Sequence, residues 1–98
     1  MNVTDFTMDF FSLKGKNALV TGGNSGLGQA FSVALAKGGA NVLVVSLMEE
    51  DGETKRWVED CGVEYKYLYG DITADGECKR AVEACVSAWG SIDILVNC

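Results

Sequence analysis

Thr21-Gly22-Gly23-Asn24-Ser25-Gly26-Leu27-Gly28 is the stretch that decides how this chain folds. The residues before it, Asn17 to Thr21 (NALVT), form a short, continuous apolar run, as expected of a strand buried on both faces of a parallel sheet. From Ser25 to Lys37 the pattern switches to helical period. Leu27, Ala30, Phe31, Ala34 and Leu35 make one apolar stripe, and Gly38-Gly39 ends the helix. A glycine-rich turn between a buried strand and a helix is where a dinucleotide diphosphate binds, on free amides at a helix N-terminus where peptide dipoles favour negative charge. Gly22 permits the tight turn, Gly26 permits close approach of the ligand, and Gly28 lets the helix lie close to the sheet. Asn24 and Ser25 can add side-chain hydrogen bonds to the turn or to the phosphates. A glycine-rich turn without a ligand is the competing reading. The coincidence of the spacing, the preceding Thr21 and the strand-turn-helix setting favours the cradle.

Outward from the turn the alternation continues. Asn41 to Leu47 (NVLVVSL) reads as a second buried strand, and Glu50 to Asp60 as a helix with Thr54, Trp57, Val58 and Cys61 on one face. Val63 to Tyr69 reads as a third strand. Thr73 is a candidate cap for a helix from Ala74 to Trp89, whose apolar face is Cys78, Ala81, Val82, Cys85, Val86 and Trp89. Ile92 to Val96 opens a fourth strand. Strands alternating with helices over short connections predict an α/β fold with right-handed crossovers and strand order 3-2-1-4, the N-terminal half of a Rossmann-type doubly wound parallel sheet. Residues 1–10 are expected to be an N-terminal arm whose Phe6 and Phe10 pack on the domain or a neighbour, and 11–98 a partial dinucleotide-binding domain.

Composition narrows the function. The 98 residues carry a net charge of −6 with no basic patch, which argues against nucleic acid and anionic membrane as partners. There is no histidine, and Cys61, Cys78, Cys85 and Cys98 form no C-x-x-C pair, so no metal site is expected. Buried, reduced thiols in a cytoplasmic protein are the expectation. No apolar run is long enough for a membrane helix, and residues 1–13 do not read as a secretory signal.

Thr21, Gly22, Gly26 and Gly28 match T-G-x-x-x-G-x-G, and with the lead-in from Phe11 to Thr21 the chain resembles the short-chain dehydrogenase/reductase family. The resemblance covers residues 11–98. It implies that Asp71 contacts the adenine amino group, that Ile72 shapes the adenine pocket, and that Asn97 supports the central sheet and the cofactor's surroundings. Cys98 stands where the family usually has a second Asn. Within the family, Leu13 to Ala30 is most similar to gluconate 5-dehydrogenases and 2-deoxy-D-gluconate (ketodeoxygluconate) dehydrogenases, implying a sugar-acid substrate. The candidate cofactor-binding residues are thus Gly22, Asn24, Ser25, Gly26, Leu27, Gly28, Ser46, Asp71, Ile72 and Asn97.

The tip of the second strand meets the adenosine ribose, where a carboxylate favours NAD and a basic residue NADP. Ser46 stands where NAD-preferring relatives carry Asp. No Arg or Lys is near, and Glu49, Glu50 and Asp51 would repel a 2′-phosphate. NAD is therefore favoured over NADP by elimination. Family catalysis uses a Ser and a Y-x-x-x-K helix, the tyrosine acting as acid/base. Tyr65, Tyr67 and Tyr69 have Tyr69, Asp71 and Thr73 four positions on, so no catalytic residue is assigned. The expectation is the binding portion of a longer, homo-oligomeric (dimeric or tetrameric) alcohol/ketone oxidoreductase. A non-enzymatic dinucleotide-binding module and a non-functional fragment are the alternatives.

Overall fold

The computed structural model describes residues 11–98, so the expected arm at residues 1–10, with Phe6 and Phe10, lies outside the described residues. Seven elements follow in order: β1 (Asn17–Thr21), α1 (Gly26–Lys37), β2 (Asn41–Ser46), α2 (Glu53–Glu59), β3 (Tyr65–Tyr69), α3 (Glu77–Trp89) and β4 (Ile94–Asn97). All pairings are parallel and the sheet order is β3-β2-β1-β4. This is the Rossmann-type α/β fold expected from the alternation.

The two central strands are apolar on both faces because helices cover both. On one side Val20, Val42, Val44 and Tyr65 pack with Ala36 of α1 and Val58 of α2. On the other, Leu19, Leu43 and Val45 pack with Ala81 and Cys85 of α3. Each fully buried Val or Leu contributes about 1.5–3 kcal/mol relative to exposure, so β1 and β2 are the energetic centre of the chain.

At the start of the strands a side-chain ladder crosses the sheet. Asn41 Nδ2 donates to Asn17 Oδ1 (3.0 Å), Asn17 Nδ2 donates to Ser91 Oγ (3.0 Å), and the Asn17 amide donates to Asp93 (2.9 Å). Asn41 Oδ1 accepts from the Glu64 amide (2.9 Å), so one chain of hydrogen bonds reaches the leading end of all four strands.

Five expectations are corrected. The α1 stripe does not form the sheet-facing side. Gly28, Ser32 and Ala36 are buried instead, while Leu27 (67%) and Phe31 (40%) stay exposed. The helix lies so close to the sheet that only small residues fit beneath it, and close packing beats hydrophobicity. Thr73 is not the cap of α3. Its amide and hydroxyl both donate to Asp71 Oδ1, making a local turn, and α3 starts only at Glu77. Likewise α2 starts at Glu53, after Glu50 and Asp51 carboxylates have accepted the Gly52 and Glu53 amides in turn-type bonds. The thiols are not uniformly buried. Cys85 is, and burial, with Asp93 beside it, pushes its pKa up, but Cys61 is half-buried and Cys78 and Cys98 are exposed. Of the expected α3 face, Ala81 and Cys85 are buried, whereas Val82 and Val86 are exposed.

Candidate functional site

The register of the parallel strands brings the candidate residues to one edge. Thr21 pairs with Val45 and Asn97, and Ser46 pairs with Tyr69, so the glycine-rich turn, the tip of β2, the start of the Asp71 loop and the end of β4 all lie at the C-terminal edge of the sheet. Ligands of open α/β sheets bind at this edge, in the crevice where the strand order reverses. Here that crevice lies between β1 and β4.

The turn is built by close contact. Gly22 and Gly26 hold positive φ (+63° and +51°). A Cβ on Gly28 would sit 2.0 Å from the Gly22 carbonyl oxygen, so the closeness that this glycine permits is to the turn's own backbone. A Cβ on Gly23, absent from the sequence-derived set, would meet Ser32 Oγ and Val44 at 2.7 Å. Ser32, fully buried, donates to the Gly23 carbonyl (2.8 Å) and contacts the Gly28 carbonyl (3.0 Å), pinning turn and helix together. Neither role could be read from periodicity, because a serine inside a helix is ordinarily a solvent-facing residue.

The helix end presents donors. Ser25 is the N-cap residue, its side chain makes no capping bond, and the first turn holds no acidic residue. The first bond into the helix runs from the Gln29 amide to the Ser25 carbonyl, which leaves the amides before it for an anion. A diphosphate therefore fits: donors are available, the first turn of the helix carries no acidic residue, and space at Gly26 is open, with no atom within 4 Å of an added Cβ.

Asn24 does something other than bond the turn or a phosphate. It is 8% exposed, and its Nδ2 donates across to the Met48 carbonyl (2.9 Å) and the Glu49 carbonyl (3.4 Å) in the loop after β2. Its Oδ1 is buried and finds no partner among the described residues. Tyr67 donates its hydroxyl to the same Met48 carbonyl, and Tyr65 donates to the Glu50 carboxylate. Burial, reinforced by Glu50, raises both phenols above their ordinary range. These tyrosines brace the β2–α2 loop. Ser46 is buried, and its hydroxyl oxygen accepts the Met48 amide (3.0 Å), so it folds into the loop rather than standing out at the strand tip.

On the far side, Thr21 Oγ1 donates to Asn97 Oδ1 (2.9 Å) and accepts the Cys98 amide (2.9 Å), tying the ends of β1 and β4. Ile72 and Asn97 line a largely apolar cleft of about 560 Å³ together with Leu19, Val82, Ile92 and Leu95. The hydrogen bonds from Thr73 hold the Asp71 carboxyl below its usual range. One carboxylate oxygen is thus committed to the loop, and the other has no bond to Thr73. Arg80, donating to Glu77 and to the Tyr69 carbonyl (2.8 Å), ties α3 to the end of β3 beside this loop. The structure brings Gly22 to Gly28 and Ser46 together through Asn24, and places Asp71, Ile72 and Asn97 along the same edge.

A family model described as short chain dehydrogenase matches residues 16–98. The uncharacterized oxidoreductase YgcW of Escherichia coli (strain K12) is 55% identical over 92 residues, covering 94% of this chain and 35% of that protein. Among solved structures, a hydroxysteroid dehydrogenase from Escherichia coli superposes with a TM-score of 0.84 at 29% identity, covering 93% of this chain and 39% of that one. An NADH-dependent reductase, A1-R′, complexed with NAD, gives 0.79 at 34% identity, covering 87% and 36%. The chain therefore spans little more than a third of the length of the proteins it matches. Among the described residues no helix is long and apolar enough to cross a membrane.

Proposed function

Since this chain belongs to the short-chain dehydrogenase family, we propose that it is the dinucleotide-binding portion of an NAD(P)-dependent oxidoreductase acting on an alcohol/ketone pair. The observation that carries this reading is the strand-turn-helix at Thr21–Gly28, with no acidic residue in the first turn of the helix and a backbone too close-packed for side chains at Gly23 and Gly28. In this reading the amides of Ser25, Gly26 and Leu27 receive the diphosphate. Gly22 and Gly28 shape the turn, Asn24 ties it to the loop after β2, Ser46 closes the tip of β2, Asp71 and Ile72 flank the adenine, and Asn97 supports the floor beneath the nicotinamide. The cofactor, when bound, supplies the hydride chemistry. This chain's residues bind and orient it.

NAD is the preferred cofactor in this proposal. No lysine or arginine lies between Lys37 and Lys55, the stretch containing the β2 tip, to pair with a 2′-phosphate. The NAD-bound reductase shares this fold, which supports the same reading. A sugar acid is the proposed substrate, on the resemblance of Leu13 to Ala30. The working protein is proposed to be a dimer or tetramer in the reducing cytoplasm, consistent with four free thiols.

Titration calorimetry with NADH and NADPH tests the reading. Saturable binding of NADH, weaker binding of NADPH, and loss of both in Gly28→Ala are expected. A folded protein that binds neither nucleotide overturns it.

A further inference from the structure

We propose that residues 1–10 of this chain dock as an extended arm in the groove between α1 and α2, with Phe6, Met8 and Phe10 against its floor. The inference stands apart from the dinucleotide reading. The groove lies on the face of the sheet opposite α3, because α1 and α2 pack on one side of the strands and α3 on the other.

Three hollows join end to end along this face. The first opens where the described chain begins, lined by Ser12 and Lys14 with Lys37, Gly38 and Cys61. The second continues between Val33 and Lys37 on α1 and Trp57 and Cys61 on the α2 side. The third, of about 380 Å³, runs on past Trp57 along Val33, Ala30 and Gln29 to Gly26. Lys37 lines all three, and Val33, Trp57 and Cys61 each line two. The floor is alanine and valine, and the Trp57 ring on its rim is 40% exposed. A trough of this kind is contiguous apolar surface without a cover among the described residues.

The point where the chain enters names the occupant. The Leu13 amide donates to the Gly38 carbonyl (2.8 Å), so the chain joins the body at the C-terminal end of α1, in the mouth of the groove. Ten residues precede the first described one. Extended, they reach about 33 Å. Along α1 from Lys37 to Gly26 the groove runs about 16 Å at 1.5 Å per residue, so half of the arm spans it. An arm tethered at the mouth is present at an effective concentration on the order of millimolar, far above that of a second copy in dilute solution.

The sequence of the arm fits the groove. From Asp5 to Phe10 polar and apolar residues alternate, with Asp5, Thr7 and Asp9 on one side and Phe6, Met8 and Phe10 on the other. In an extended chain this period of two puts the three apolar side chains on one edge. Laid in from the mouth, Phe10 comes to Cys61, Met8 to Trp57, and Phe6 to Val33 and Ala30, which gives the indole a thioether and aromatic neighbours. Asp5 and Asp9 are left at the rim. There Lys37 is exposed and makes no ion pair among the described residues. Among those residues Asp60 is the one carboxylate lining the groove, and the Lys37 ammonium runs beside its whole length.

Alkylation of thiols by iodoacetamide, followed residue by residue in mass spectra of the digested protein, tests this, because the four free cysteines sit in different places. Cys61 lines the groove, Cys85 reports on the core, and Cys78 is exposed on α3. A variant lacking residues 2–10 is expected to raise the rate at Cys61 at least about threefold, as uncovering a thiol implies, and to leave Cys78 and Cys85 unchanged. Phe6→Ser combined with Phe10→Ser in the whole chain should do the same. Both positions lie outside the seven elements, so this double variant decides the matter if a faster Cys85 shows that the truncated chain has lost its fold. In the unsubstituted protein the protection of Cys61 should not depend on protein concentration. A Cys61 rate unchanged in the double variant overturns the proposal. Protection that fades on dilution also overturns it, because the groove is then covered by the arm of a second copy.

Discussion

At the level of single residues, the site is governed by backbone contact. A methyl group on Gly28 would lie 2.0 Å from the Gly22 carbonyl, so Gly28→Ala must push α1 off the turn. Overpacking of this kind costs about 1–3 kcal/mol, and urea denaturation should show a loss in that range together with loss of NADH binding. A loss of stability without loss of binding would contradict the cradle. Tyr65 offers a pH test. Burial, then Glu50, raises its phenol above the ordinary value of 10.0. A group whose folded pKa is raised holds its proton longer in the folded state. Its contribution is therefore complete below about pH 10 and is lost as pH rises beyond it. Tyr65→Phe should therefore flatten the fall in unfolding free energy above pH 10 relative to the parent, as seen in denaturation curves taken at stepped pH. The glycine positions were legible because their spacing is imposed by the turn. Ser32, Tyr65 and Tyr67 were not, because what they do depends on partners 9 to 19 positions away that no local pattern encodes.

Among elements, β1 and β2 match the sequence reading to within a residue, β3 and β4 start two residues later than expected, and α2 and α3 three residues later. β1 and β2 are continuous apolar runs buried on both faces, a signal that needs no tertiary information. α1 was given the wrong buried face, since Leu27 and Phe31 outrank Gly28 and Ser32 in hydrophobicity while the narrow gap to the sheet admits only the smaller pair. Both α2 and α3 start three residues later than the sequence pattern implies because Asp51 and Asp71 spend their carboxylates on turns first. The ladder at the leading ends of the strands was invisible in sequence, being assembled from four segments. It predicts that Asn41→Ala, which removes one donor to Asn17 and one acceptor from the Glu64 amide, costs about 1–2 kcal/mol. Chemical denaturation checks this, and NADH affinity should not move.

For the molecule as a whole, the described chain keeps an apolar flank. β4 is an edge strand, Leu95 is 63% exposed, and Leu95, Val82 and Ile92 line the cleft beside α3. An unpaired edge beside an apolar surface promotes association. As an isolated 98-residue polypeptide the chain should sediment as a concentration-dependent oligomer, and Leu95→Lys should shift it toward monomer. A monomer at all concentrations would show that the flank is not adhesive. The ladder at one rim of the sheet and the glycine-rich turn at the other have a joint consequence. They are separated by a five-residue strand, about 16 Å at 3.3 Å per residue, and perturbations that far apart add independently. Selection can thus retune heat tolerance through Asn17, Asn41 and Asp93 while the molecular preference for one nucleotide stays as it was, and can change that preference without eroding robustness. The chain carries two dials with no shaft between them.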